Sequence, residues 1–155
     1  MIPIEKCWKT LIKLLEFSFL CYNELEEVLN MKVLTIREPW ASLIINGYKK
    51  YEFRSWKTNY RGKLLIHAGK AIDKNMLYIA NKYNVKINPG NILGEVEITD
   101  CIKVDDEFNN YLKKDNSLVY HGVYKDGYAW KIENVKKYDK TISINGKLGL
   151  WNYNK

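Results

Sequence analysis

Apolar residues recur at Ile4, Trp8, Leu11, Leu15, Tyr22, Leu25 and Leu29, three, four or seven positions apart, and predict an amphipathic helix over residues 4–29. Beyond residue 30 the period changes. Residues 31–36 alternate as a strand does, with Val33 and Thr35 on one face and Leu34 and Ile36 on the other. Glu38-Pro39 then opens a helix, since proline is tolerated in a first turn. Trp40, Leu43, Ile44 and Gly47 follow at helical spacing, and Asn46-Gly47 ends the helix with a residue free to take positive φ. Aromatic and polar residues alternate over 51–56, as in a half-buried strand. A turn at Asn59-Tyr60-Arg61-Gly62 leads into a buried strand over 63–68.

Asp73 stands where it would cap a helix ending near Tyr83, with Met76, Leu77 and Ala80 inward. Asn88-Pro89-Gly90-Asn91 is a turn, and 92–104 forms one long strand or two joined at a bend. Residues 105–114 make a short helix or loop whose apolar side is Phe108, Tyr111 and Leu112. Alternation returns over 128–133, and Asn145-Gly146 reads as a hairpin turn ahead of a last strand within 148–153. Many strands, few helices and no need of parallel crossovers predict an α+β protein. Its centre would be a β-barrel of mostly antiparallel strands with two or three flanking helices. At 155 residues there is room for one ordinary domain, placed at 31–155, with 1–30 as an extension.

Charge divides the chain at the same place. The whole carries a net charge of +7, yet residues 1–30 hold three Lys and five Glu, which leaves 22 basic against 13 acidic groups in 31–155. Such an excess favours a polyanionic partner or serves solubility alone. Cys7, Cys21 and Cys101 are far apart, so no disulfide framework is expected. With only His67 and His121 beside them, no zinc ligand set is expected, nor any other metal or cofactor. No stretch nears the roughly 20 apolar residues of a membrane span. The run around 14–22 is broken by Glu16 and lacks a signal-cleavage pattern. A soluble, reduced, cytoplasmic protein without membrane contact is the expectation.

The extension has two readings. It is a helix that packs on the domain or on a protein partner, or translation ordinarily begins at Met31. Glu26-Glu27-Val28 is encodable by a purine-rich sequence of the kind that binds bacterial ribosomes, just upstream of Met31. No function is placed there.

Residues 47–70 concentrate the chemistry. Lys49, Lys50, Arg54, Lys57, Arg61, Lys63 and Lys70 stand against Glu52 alone, among Tyr48, Tyr51, Phe53, Trp56 and Tyr60. Cations neutralise phosphates and aromatic faces stack on unpaired bases, so a basic, aromatic strand–turn–strand suits single-stranded or flipped nucleotides. Each residue also has a plainer reading: Trp56 in the core, the lysines as a solvated face, Glu52 paired with Arg54 or Lys49. Functionally, Glu52 would orient Lys49 or accept hydrogen bonds from a base edge. His67 lies in a buried run and reads as a hydrogen-bonded core residue, with Lys70 near enough to share a cleft with it. His121 has no nucleophile beside it, Ser42 and Ser55 have no adjacent histidine, and Cys101, Trp40, Trp130 and Trp151 read as core.

G-Y-K-K-Y-E-F-R at 47–54 resembles the G-x-K-x-x-E-x-R signature of the ASCH (activating signal cointegrator homology) domain of the PUA-like superfamily. Five further stretches carry the resemblance in order: L-T-I-R-E-P-W-A-S-L-I at 34–44, R-S-W-K-T-N-Y-R-G-K-L at 54–64, L-G-E-V-E-I-T-D-C at 93–101, Y-A-W-K-I-E-N at 128–134, and G-K-L-G-L-W at 146–151. It spans Met31 to the C-terminus. The resemblance implies a PUA-like barrel with a cleft toward which Lys49, Glu52 and Arg54 project, adjoined by Trp56, Lys57, Thr58, Tyr60 and Arg61. It implies nucleic-acid binding, RNA favoured, with Arg54, Lys57, Arg61 and Lys70 on phosphate and Trp56 or Tyr60 stacked on a base. Small bacterial relatives instead hydrolyse the amide of N4-acetylcytidine through a motif lysine, a threonine and a distant glutamate, and others are ribonucleases. Lys49 matches that lysine; Glu52 occupies the threonine's place, a departure, and Glu107 is a candidate for the distant glutamate by region only. An enzyme reading would thus rest on Lys49 and Glu52, with a modified nucleoside as ligand. A third reading has the basic face dock an acidic protein.

Overall fold

The computed structural model describes residues 4–29, 31–115, 117–120 and 124–153, with side chains in the first segment from residue 9 to 22. By contacts the chain divides into two compact units, Met1–Met31 with Asn152–Lys155, and Lys32–Trp151. The first holds helix α1 (Ile4–Leu29). Its described apolar side chains, among them Leu11, Leu14, Leu15, Phe17 and Phe19, are exposed. Among the described residues no helix is long and apolar enough to cross a membrane.

The second unit is an α+β structure built on six strands: β1 (Lys32–Glu38), β2 (Tyr51–Arg54), β3 (Gly62–Ile72), β4 (Asn91–Lys103), β5 (Tyr128–Ser143) and β6 (Leu150–Asn152). They lie in the order β2-β5-β4-β3-β1-β6. The β2–β5, β3–β4 and β4–β5 pairs are antiparallel. β1 and β3 pair in parallel, with Thr35 opposite His67, a crossover the alternation pattern did not call for. Helices α2 (Trp40–Ile45), α3 (Leu77–Lys82) and α4 (Asp106–Lys114) complete the unit, with single turns of 3-10 helix at Lys74–Met76 and Leu118–Tyr120.

β3 explains the arrangement. Leu64, Leu65, Ile66, His67 and Ala68 are all buried, so the strand is covered on both faces and reads as a continuous apolar run rather than an alternation. Leu64, Ile66 and Ala68 join Leu34, Ile36, Val96, Ile98 and Trp130 in one core; Leu43, Tyr51, Phe108, Leu112 and Tyr120 belong to a second. α2 divides them: Ala41, Ile44 and Ile45 enter the first, Leu43 the second, and Trp40 packs against both.

Three local expectations are corrected. Asp73 makes no side-chain cap; the helix there begins as a 3-10 turn, and the capping carboxylate is Asp105, which accepts from Phe108 N at 2.8 Å ahead of α4. Asn145-Gly146 is not a hairpin turn, because β6 lies beside β1 at the other end of the sheet order from β5. Tyr111 is exposed, while Phe108 and Leu112 face inward as expected.

Candidate functional site

α2 is short and buried, and its first turn is held by Glu38. That carboxylate is fully buried and accepts from Ser42 Oγ (2.7 Å), Ser42 N (3.1 Å) and Asn88 N (3.0 Å), three donors that replace the water it lost. Gly47 ends the helix in the left-handed region at φ +81°. The reversal there brings Lys49 back beneath the helix, and β2 starts two residues later. Successive side chains on β2 take opposite faces: Tyr51 and Phe53 pack into the second core, Glu52 and Arg54 face a cleft.

Lys49 is buried and donates from Nζ to Glu52 Oε2 at 2.7 Å and to Tyr51 O at 2.6 Å. The ammonium also lies 5.3 Å from the Phe53 ring centroid and 5.8 Å from that of Trp40. Burial pushes the Lys49 amine below its ordinary range, while the Glu52 carboxylate pulls it back and Arg54 pushes it down further. Arg54 donates to Thr35 O at 2.8 Å, and its Nε stands 3.2 Å from Glu52 Oε1, at ion-pair distance without hydrogen-bond alignment. Glu52 is therefore held between two cations.

The cleft has a volume of about 890 Å³. Trp40, Glu52, Arg54, Thr35 and Arg37 line one part, His67 and Lys70 another, and residues 145–149 a wall that comes from 75 or more positions further along the chain. His67 Nε2 lies 3.0 Å from Ile144 O, and a carbonyl only accepts, so Nε2 carries the hydrogen and Nδ1 is left as an unpartnered acceptor. Burial lowers the imidazole's pKa, and the nearby Lys70 charge adds to that. Trp151 Nε1 donates to Thr35 Oγ1 at 3.1 Å, and Lys70 Nζ to Asn145 Oδ1 at 3.1 Å.

Of the residues singled out in the sequence, the structure brings Glu52, Arg54 and Lys70 to the cleft, with Lys49 directly behind Glu52. Trp56, Lys57, Thr58, Tyr60 and Arg61 are not among the lining residues. Trp56 packs edge-on against Trp130 with centroids 4.6 Å apart; Thr58 is buried, its N–H 3.5 Å from Cys101 Sγ. Tyr60 donates its hydroxyl to Lys63 O, and Arg61 reaches Tyr60 O at 2.9 Å and Asp100 at 3.3 Å. The polar groups of Thr58, Tyr60 and Arg61 thus find partners within a few residues or on β4. Lys57 is exposed, as is Glu107, which sits in the first turn of α4 and does not line the cleft. His121 lies outside the described residues.

Thr35, Arg37 and residues 145–149 were not read from the sequence as site residues. A carboxylate four positions before Ser42, at a predicted helix start, was the available signal for Glu38. Nothing local marks Asn145 or Lys147, which join the cleft only because the chain crosses to β6.

Together these features define an α+β domain with a cleft centred on a carboxylate between two cations. The family model described as ASCH domain matches residues 34–142, and the chain belongs to the ASCH domain family. A 35-residue stretch is 51% identical to activating signal cointegrator 1 from Homo sapiens and equally to that from Mus musculus; it covers 23% of this chain and 6% of those proteins. Among solved structures, ASCH from Zymomonas mobilis superimposes with a TM-score of 0.55 at 12% identity, over 81% of this chain and 89% of that one. A single-residue variant of the same protein matches equally well over 91% of its length. These likenesses establish the mostly antiparallel PUA-like α+β fold.

Proposed function

We propose that the domain is a cytoplasmic nucleic-acid-binding module that takes a nucleotide unit of single-stranded RNA into this cleft. The observation that carries the reading is Glu52 beside Arg54 on the cleft face of β2. A carboxylate acceptor next to a guanidinium donor matches the mixed donor–acceptor edge of a base that has left its stack. Lys49 acts through Glu52, fixing the carboxylate from behind. The cleft volume of about 890 Å³ falls within the range of small-ligand sites. RNA rather than DNA comes from the family.

The test is fluorescence anisotropy of the full chain against labelled single-stranded RNA, single-stranded DNA and duplex DNA at several salt concentrations. A log–log salt slope between about −3 and −5 is expected, equivalent to roughly four to seven phosphate contacts at about 0.7 each. Arg54→Ala should weaken binding about tenfold, while Trp56→Ala, which lies off the cleft, should change it less than twofold. Absence of binding to every oligonucleotide at low salt ends the reading.

The enzyme reading retains one support, the burial that pushes the Lys49 amine below its ordinary range. Against it, the Lys49 amine is already engaged by Tyr51 O and Glu52. N4-acetylcytidine incubated with the protein should remain intact. Turnover that is lost in Lys49→Ala would replace binding with amide hydrolysis.

A further inference from the structure

We infer that the cleft has a phosphate subsite formed by Arg37, Lys70 and Lys147, so that its ligand is a phosphorylated nucleotide unit and not a neutral nucleoside. The inference rests on the reading of the same cleft as a nucleotide site and deepens it. Five charged side chains line the cleft: Arg37, Glu52, Arg54, Lys70 and Lys147. Glu52 is already opposed by Lys49 at 2.7 Å and by Arg54 at 3.2 Å, and Arg54 also donates to Thr35 O. The charges of that group are balanced without a ligand, while its hydrogen-bonding edge still faces the cleft.

The other three cations are not so balanced. Among the described residues none of Arg37, Lys70 and Lys147 meets a carboxylate. Lys70 bonds only the neutral amide of Asn145, and Lys147 rests its ammonium 5.5 Å from the Trp151 ring centroid. Fold geometry gathers them. β1 and β3 run in parallel, with Ile36 opposite Ala68 and Glu38 opposite Ile72, so Arg37 and Lys70 emerge at the same end of adjacent strands. The 145–149 segment adds Lys147, which lies beyond the residues the family model matches. Unopposed cations around a concave site concentrate field on whatever enters, and guanidinium and ammonium groups are the usual phosphate partners. A neutral nucleoside would leave all three charges unmet.

The experiment compares, by calorimetry on the full chain, the four ribonucleosides, their 5′-monophosphates, inorganic phosphate, a glutamate-rich peptide and a mixed-sequence decaribonucleotide. Monophosphates are expected to bind at least tenfold more tightly than the nucleosides. The triple variant Arg37→Ala/Lys70→Ala/Lys147→Ala should abolish that advantage with its thermal midpoint unchanged, since all three side chains are exposed. Lys70→Arg in the wild-type background should keep the advantage. Nucleosides that bind as tightly as monophosphates overturn the subsite, as does a triple variant that retains the preference, or a glutamate-rich peptide that competes as well as the nucleotides. The two readings fail separately. Monophosphates that bind while the decanucleotide does not would support the subsite and end the polynucleotide reading. A decanucleotide bound equally by wild type and triple variant would end the subsite and leave RNA binding standing.

Discussion

Lys49 and Glu52 act as one unit, and their burial sets the cost of separating them. Lys49→Met would leave the Glu52 carboxylate with Arg54 as its nearest cation and no ammonium behind it. Breaking a buried pair from one side costs about 3–5 kcal/mol, and the remaining guanidinium places this case near the lower end. Urea unfolding should read that loss, and the double variant Lys49→Met/Glu52→Gln should lose less than the two single variants combined. His67 provides a second test, through pH. Its folded-state pKa lies below the ordinary 6.5 because burial disfavours the imidazolium and Lys70 repels it. Between those two values the unfolded chain binds the extra proton. Stability is therefore fully present above about pH 6.5 and falls as pH drops through the folded-state value, by up to about 1.4 kcal/mol per unit. His67→Gln, whose amide can still donate to Ile144 O, should flatten that dependence. The sequence already indicated a buried, hydrogen-bonded His67. It did not indicate the acceptor at residue 144, which lies 77 positions away.

At the scale of elements, legibility followed the period of the side chains. α2 and the central run of β3 were readable because burial writes itself into contiguous or regularly spaced apolar residues. β5 was read only over 128–133, yet it continues to Ser143. Its second half is mostly exposed and held by backbone pairing with β4, so nothing in its side chains announces a strand. The β4–β5 ladder contains three register shifts, and Gly94 sits beside one of them, opposite Lys137. A Cβ on Gly94 would run into the Lys136 carbonyl oxygen and come within 3.1 Å of Lys137 Cα. Backbone on a paired strand cannot yield as a side chain can. Gly94→Ala is expected to destabilise the domain by about 1–3 kcal/mol, read from the thermal midpoint. Asp105→Ala, which removes the cap of α4 without touching the sheet, should cost about 1 kcal/mol. The cleft wall at 145–149 was illegible for another reason: it depends on a chain crossing from β5 to the far side of β1, a long-range outcome that no local pattern encodes.

For the whole molecule, charge and exposed apolar surface are carried by different parts of the chain. Residues 1–30 contribute more acidic than basic groups, and the described part of α1 exposes Phe17 and Phe19 at 67% each. Residues 31–155 carry the positive excess and every side chain assigned to the cleft. A salt slope counts phosphates neutralised by cations at the contact surface, and every cation assigned to the cleft belongs to residues 31–155. Removing residues 1–30 should therefore leave the salt slope for single-stranded RNA unchanged and the affinity within about twofold. The same truncation should reduce self-association on size-exclusion chromatography, because it deletes a helix whose described apolar side chains, Leu11 to Leu20, are exposed. Anisotropy titrations of the full chain and the truncated chain, run side by side, decide the matter. Loss of RNA binding with residues 1–30 would make the helix part of the binding surface. Unchanged binding with less self-association would place recognition in residues 31–155 and leave the helix to serve contacts between proteins.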